Sequence, residues 1–288
     1  MDRLTRAAGT EELECVSTSL DLFSPPYVET SIDKVYFVEY NPINAISDSA
    51  NSIVFSIPAV DDYTSVCESY YEVKVQITQS NGGTLPAQTT AASYGFVNQI
   101  ASSIFSSVNV KLNEQSISDS FGTYAYLSHI QALLSYSEAS RKTRLRLQGY
   151  VDDVNPSSIN ADRSATLTGF KTRAGWSSTS KIVTLLAPIY HEFFSQGCAL
   201  IPLVPMQLEF TRASNAFALL SNVANCDYVF KIKSMKLHMK RMKIIPSLKL
   251  ELERKIESKP AKYPLLQCSV KPFFVDATAK SVSFENGE

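Results

Sequence analysis

In YYEVKVQITQ (70–79) every second residue is apolar: Tyr71, Val73, Val75 and Ile77 alternate with Glu72, Lys74 and Gln76. Strand side chains point to opposite faces in turn, so this spacing predicts a strand with one face buried and one in water. The turn-forming SNGG (80–83) follows it. The period recurs along the chain. NSIVFSIPA (51–59) places Ile53, Phe55 and Ile57 on one face, and FSSVNVKLN (105–113) and PMQLEFTR (205–212) repeat the pattern. SIDKVYFVEYNP (31–42) is rich in aromatic and β-branched residues. KIVTLLAPIY (181–190) is almost continuously apolar, which predicts a strand buried on both faces. A chain of 288 residues with 44% hydrophobic content can bury such strands in a substantial core. Together these features predict a β-rich scaffold.

The most charged stretch, KIKSMKLHMKRMK (231–243), holds seven basic side chains in thirteen positions. Apolar Tyr228, Phe230 and Ile232 alternate, and so do Met235, Leu237 and Met239, with the phase slipping by one near Ser234. Spacings of two exclude a helix, and the slip predicts a β-bulge. Lys231, Lys233, Lys236, His238 and Lys240 then fall on the solvent side, and Arg241 and Lys243 complete a possible exposed basic face. Lysines on such a strand also discourage edge-to-edge pairing. Binding to nucleic acid is the minority reading. The chain carries 27 basic and 28 acidic residues, whereas a phosphate-neutralising protein is usually basic overall.

Two helices interrupt the strands. In FGTYAYLSHIQALLSYSEASRKTRLRLQGY (121–150), Tyr126, Ile130, Leu133 and Leu134 sit at helical spacing, with Thr123 as N-cap and Gly149 as stop. The insertion spans about 122–148. PSLKLELERKIESKP (246–260) opens on Pro and pairs Glu251 with Lys255 at i,i+4, predicting a connector helix. The polar stretch 151–180 reads as a long surface loop. Residues 1–30, with Pro25–Pro26, read as an extended arm.

Catalytic chemistry is missing from the sequence. His129, His191 and His238 are isolated; His191 adjoins Glu192, but neighbours in a strand point to opposite sides. No nucleophile-elbow, zincin or phosphate-loop motif occurs. Asp61–Asp62 and Asp152–Asp153 read as exposed turn carboxylates. Cys15, Cys67, Cys198, Cys226 and Cys268 are scattered and form no ligand set, so no metal or cofactor is expected and the thiols suit a reducing, intracellular compartment. No run has the length of a signal peptide or membrane span. Trp176 is either an aromatic contact residue or a lid over local apolar surface.

The ordered string of segments resembles the double jelly-roll major capsid proteins of Polinton/Maverick elements and their adintovirus relatives. The matching stretches are SLDLFSPPYVETSIDKVYFVEYNPINAISDSANSIVFSI (19–57), YYEVKVQITQSNGG (70–83), FVNQIASSIFSSVNVKLNEQSI (96–117) and FGTYAYLSHIQALLSYS (121–137). FFSQGCALIPLVPMQLEFTRASNAFALL (193–220) and MKIIPSLKLELERKIESKPAKYPLLQCSVKPFFV (242–275) complete the series. None is a chemical signature; the specificity lies in their order over residues 18–285.

The resemblance implies an all-β antiparallel jelly-roll sandwich, the first half of a double jelly roll. The first roll would cover 31–245, the connector helix 246–260, and the start of an incomplete second roll 261–288, including a strand over 262–275. It implies a structural, non-enzymatic subunit that self-associates into an icosahedral shell around double-stranded DNA. Its partners would be copies of itself (the family forms trimers), a penton-type minor capsid protein and, indirectly, the DNA genome, with no membrane. Its location would be the virion or capsid, or the interior of a host cell whose genome carries a truncated or degenerate copy. The alternative is a host-retained jelly-roll binding module with Trp176, Tyr190 and Phe193 as aromatic contacts. A third is a β-sandwich that binds nucleic acid through the basic face.

Overall fold

The alternating segments form two four-stranded antiparallel sheets in a computed structural model that describes residues 30–47, 52–88, 93–119, 122–153, 168–223, 226–268 and 270. The strands are β1 (Ile32–Tyr40), β2 (Ser52–Ile57), β3 (Tyr63–Gln79), β4 (Tyr94–Phe96), β5 (Phe105–Leu112), β6 (Gln115–Asp119), β7 (Val183–Pro188), β8 (Met206–Arg212), β9 (Leu219–Ser221) and β10 (Tyr228–Ile244). The helices are α1 (Ile100–Ser103), α2 (Tyr124–Ser135), α3 (Glu138–Lys142), α4 (Arg144–Leu147), α5 (Thr168–Ser177), α6 (Glu192–Ser195), α7 (Asn215–Ala218) and α8 (Pro246–Ser258). One sheet has the order β1-β10-β3-β7 and the other β2-β8-β5-β6, while β4 and β9 form a small separate pair.

The pairings are nested. Among the strands of the two large sheets, the first pairs with the last (β1 with β10) and the second with the last but one (β2 with β8). β3 pairs with β7, and β5 with β6. A long antiparallel hairpin rolled so that successive pairs fall in opposite sheets gives this order, which is the jelly roll. The fold class expected from the sequence is therefore present.

The core lies between the sheets. Tyr71, Val73, Val75 and Ile77 of β3 are fully buried, and they face Phe55, Val108, Val110, Leu208 and Phe210 of the other sheet. Rings lock the two layers together: Tyr71 lies 5.4 Å from Phe210 and 6.1 Å from Phe105, and Phe210 lies 6.0 Å edge-on from Phe55. The phase slip in β10 is a bulge, with the register against β3 shifting between Ile232 and Ser234. The extra residue keeps Phe230 and Ile232 on the core side with Met235, Leu237 and Met239.

Several expectations are corrected. β10 lies between β1 and β3, so its lysines guard no sheet edge. β7 is itself an edge strand with one buried face (Leu185 and Ala187), not a strand buried on both sides. The helical insertion is three helices, α2 to α4, and Gly149 ends the last of them at φ +80°. A Cβ at Gly149 would come within 2.7 Å of Ile100, so both backbone and packing require glycine there. The stretch 151–180 carries helix α5 rather than being a loop throughout. α8 starts with Pro at its first turn, and Lys255 and Glu251 are paired at 2.5 Å. The expected N-terminal arm lies outside the described residues apart from Thr30, as do residues 269 and 271–275 of the strand expected over 262–275; residues 261–268, which include its first half, carry no regular structure.

Because Phe210 touches three rings from both sheets, Phe210→Ala is expected to cost about 3–5 kcal/mol. Urea unfolding should show this as a lower midpoint with an unchanged slope.

Candidate functional site

The basic strand is divided between two faces. Lys231, Lys233, Lys236 and Lys240 alternate away from the core, whereas Arg241 and Lys243 follow the parity of Met239, on the opposite side of β10. Arg241 is only 4% exposed, and its guanidinium donates to the hydroxyls of Thr64 and Tyr40 (3.0 Å for Tyr40). It therefore does not belong to an exposed basic face. On the outer side Lys236 meets Glu39 at 2.7 Å and Lys240 meets Glu68 at 2.5 Å. These hydrogen bonds hold the Glu39 and Glu68 carboxyls below the usual range and raise Lys236. Tyr70 stacks on His238 at 4.8 Å and meets Phe37 at 5.6 Å, so an aromatic row runs beside the lysine stems. On this outer face two of the lysines, Lys236 and Lys240, are thus matched by carboxylates.

The helices between β6 and β7 sit on a buried polar layer. Tyr71 donates to the Ala101 carbonyl at 3.0 Å, the Tyr124 hydroxyl accepts from the Tyr190 amide at 3.3 Å, and Tyr190 donates to Gln148 Oε1 at 2.7 Å. Burial pushes the Tyr124 hydroxyl up to about 12 and raises Tyr71 and Tyr190 as well, so all three stay neutral near pH 7. Gln99 spans to α2, donating to the Ser128 carbonyl at 3.3 Å and meeting His129 Nδ1 at 3.2 Å. These contacts select which side of α2 faces inward: Tyr124, Ala125, Leu127, Ser128 and Ala132 are buried. The stripe that the spacing singled out, Tyr126, Ile130, Leu133 and Leu134, is on the solvent side at 51%, 46%, 41% and 82% exposure.

α5 is fixed by an ion pair that sequence reasoning missed. Arg173, 1% exposed, reaches Asp153 Oδ2 at 3.0 Å and donates to the carbonyls of Val151 (3.1 Å) and Phe96 (3.4 Å). Asp153 Oδ1 also accepts from the Phe170 amide at 2.8 Å, in the first turn of α5. Burial lowers the Arg173 guanidinium while Asp153 works against that shift. Asp153, its side chain 7% exposed, is thus a structural partner of Arg173 and the Phe170 amide, not an exposed turn carboxylate. The spacing of the acid and the arginine, 20 residues apart, carried no signal.

The aromatic trio does not converge on a surface. Tyr190 and Phe193 are buried in the core, and Trp176 packs half-buried against it with the Arg146 guanidinium 5.9 Å over its ring. His191 caps α6, its Nδ1 accepting from the Phe193 amide at 3.2 Å. Among the described residues, no three His, Cys, Asp or Glu side chains converge as a metal ion would require. No helix among them is long and apolar enough to cross a membrane.

No protein-family model matches the chain, and no curated protein does. Solved structures do. The Faustovirus major capsid protein is similar at a TM-score of 0.53 and 11% identity, over 83% of this chain and 59% of that one. A chain of the Sputnik virophage is similar at 0.53 and 15% identity, over 84% and 54%. The mavirus major capsid protein covers 88% of this chain and 54% of its own at 12% identity, with a TM-score of 0.42 that carries no weight. At these identities the first two likenesses show the fold, the jelly roll found in viral major capsid proteins. The chain spans about half the length of the solved chains it matches.

Two outcomes follow from the site geometry. Burial, then the nearby Arg173, holds the His129 pKa below its usual value, so on acidification the unfolded chain binds a proton first. Stability present above about pH 6.5 is therefore lost as pH falls toward the folded-state value. The urea midpoint should drop on going from about pH 7.5 to about pH 5.5, and drop less in His129→Gln. With Lys236 and Lys240 already paired, the logarithm of duplex-DNA affinity should fall with log salt at a slope no steeper than about −2. Filter binding across salt concentrations checks this.

Proposed function

We propose that this chain is a structural, non-enzymatic protein of the major-capsid type, a subunit that associates with copies of itself into a shell around double-stranded DNA. The observation that carries the reading is the nested pairing of β1 with β10, β2 with β8, β3 with β7 and β5 with β6, in a fold similar to the Faustovirus major capsid protein. Carboxylate-matched lysines on one outer face and an uncharged apolar stripe on α2 suit a tile that meets protein rather than phosphate.

The finer reading rests on the ordered sequence resemblance: one jelly roll and connector helix of a double jelly-roll subunit, of the Polinton/Maverick type, carried by an element in a host genome. A penton-type minor capsid protein and a place in the virion belong to the same reading. The alternative, a host-retained binding module, loses support because Tyr190 and Phe193 are core residues.

The test is native mass by light scattering across a wide concentration range, with electron microscopy of the same samples. A discrete trimer or larger closed species is expected. A mass that stays at one chain at every concentration would sink the reading.

A further inference from the structure

We propose that Asn81, in the turn that ends β3, is a site of spontaneous deamidation. The conversion to aspartate and isoaspartate places a new carboxylate at the end of the β3–β10 pair. The site is independent of what the chain assembles into.

Asn81 and Gly82 both sit exposed in the turn that follows β3. Gly82 takes φ +85°, and a Cβ built on it would meet nothing within 4 Å, so the space around it is open. The Asn81 side chain folds back over the turn, its Oδ1 accepting from the Gly83 amide at 2.8 Å. This Asx turn curls the side chain over the Gly82 amide. The Gly82 amide donates to the Gln79 carbonyl at 2.9 Å, a bond in an exposed turn that opens far more readily than the strand ladder. Asn44 and Asn98 show the opposite arrangement. Asn44 donates through Nδ2 to the Ser52 carbonyl at 2.7 Å, and its Oδ1 accepts from the Val54 amide at 2.9 Å. Asn98 donates to the Val151 carbonyl at 2.8 Å, and its Oδ1 accepts from the amides of Gln99 (2.9 Å) and Val151 (3.0 Å). Both are held at each end of the side-chain amide, and both precede residues that carry a Cβ, Ala45 and Gln99.

The reaction needs only solvent. Hydroxide removes the proton from the Gly82 amide, and the nitrogen attacks Asn81 Cγ. A C–N bond forms, and the side-chain nitrogen takes up a proton and leaves as ammonia. Water then opens the succinimide ring. Cleavage between the Gly82 nitrogen and Cγ gives aspartate with the normal backbone. Cleavage between that nitrogen and the Asn81 main-chain carbonyl carbon gives isoaspartate, whose backbone runs through Cγ and is longer by one carbon. Either product adds a carboxylate beside Ser80, whose amide donates to the Asp227 carbonyl at 3.0 Å and whose hydroxyl bonds the Asp227 carboxylate. Tyr228 pairs with Gln79 at this same end of the two long strands. Gln79 also accepts from the Gly82 amide and donates to the Gly83 carbonyl at 3.0 Å. The longer isoaspartyl backbone takes both glycines out of register with Gln79. The change is one-way, so it accumulates on each chain with age.

The test is ageing of the whole folded chain in mildly alkaline buffer, read by mass spectrometry of its peptides as a gain of about 1 Da. A second Asn–Gly pair, Asn286–Gly287, lies outside the described residues, so conversion is scored peptide by peptide. Asn81 is expected to convert at least about tenfold faster than Asn44 and Asn98, because only its turn opens readily. Both products should form, and in the converted fraction the amides of Ser80 and Tyr228 should exchange hydrogen faster. Asn81→Gln aged in parallel should show neither change. Conversion of Asn81 no faster than that of Asn44 and Asn98 would overturn the site. Conversion with unchanged exchange at Ser80 and Tyr228 would overturn its effect on the strand pair.

Discussion

The pairing of β3 with β10 organises the rest of the molecule, because it joins the two longest strands across most of the chain. Both run 17 residues, and Tyr228 pairs with Gln79 while Met242 pairs with Tyr63. Closing so long a loop costs conformational entropy that grows slowly with length, and the return must come from what the closed strands bury. β3 alone commits Tyr71, Val73, Val75 and Ile77 to the interior, and β10 adds Phe230, Leu237 and Met239. Once these two are paired, β1 can add only beside β10 and β7 only beside β3, which fixes the order of that sheet. The opposite sheet is then positioned by the rings of Phe55, Phe105 and Phe210 around Tyr71.

The strands were legible in the sequence because their period is two and their environment is simple. One face is core and the other is water, so hydrophobicity reports direction, and even the bulge at Lys233 showed as a slip of phase. The reading weakened where polarity and burial part company. Arg241 has the parity of a core residue and is buried there, because the hydroxyls of Thr64 and Tyr40 receive its guanidinium. Asp153 and Arg173 satisfy each other across a long stretch of chain, and no local pattern announces a partner so distant. β7 looked doubly buried from its composition, but composition does not say that a strand ends a sheet.

α2 shows most clearly how an apolar stripe can mislead. Spacing identified its most hydrophobic side, and that side lies in solvent. The structure instead buries the side with Ala125, Ser128 and Ala132, whose small side chains let the helix approach the sandwich closely, and with Tyr124, whose hydroxyl finds the Tyr190 amide. Close approach and satisfied polar groups outweighed greasiness, because a buried hydroxyl with a partner costs little. The Gly149 backbone and Ile100 contact fix where this helical layer ends, so α2 cannot rotate its ridge inward without breaking the Gln99 and Tyr124 bonds.

That constraint bears on function as well as on fold. It leaves Leu134, 82% exposed, on the solvent side of the helix. On the outer face of the β1-β10-β3 layer, by contrast, Lys236 and Lys240 are closed by Glu39 and Glu68. Charge is paired at those two positions, whereas the twelve residues of α2 include no Asp, Glu, Lys or Arg. The jelly roll thus carries a sheet face on which two lysines are paired and a helical insertion whose apolar side is held outward by its polar anchors.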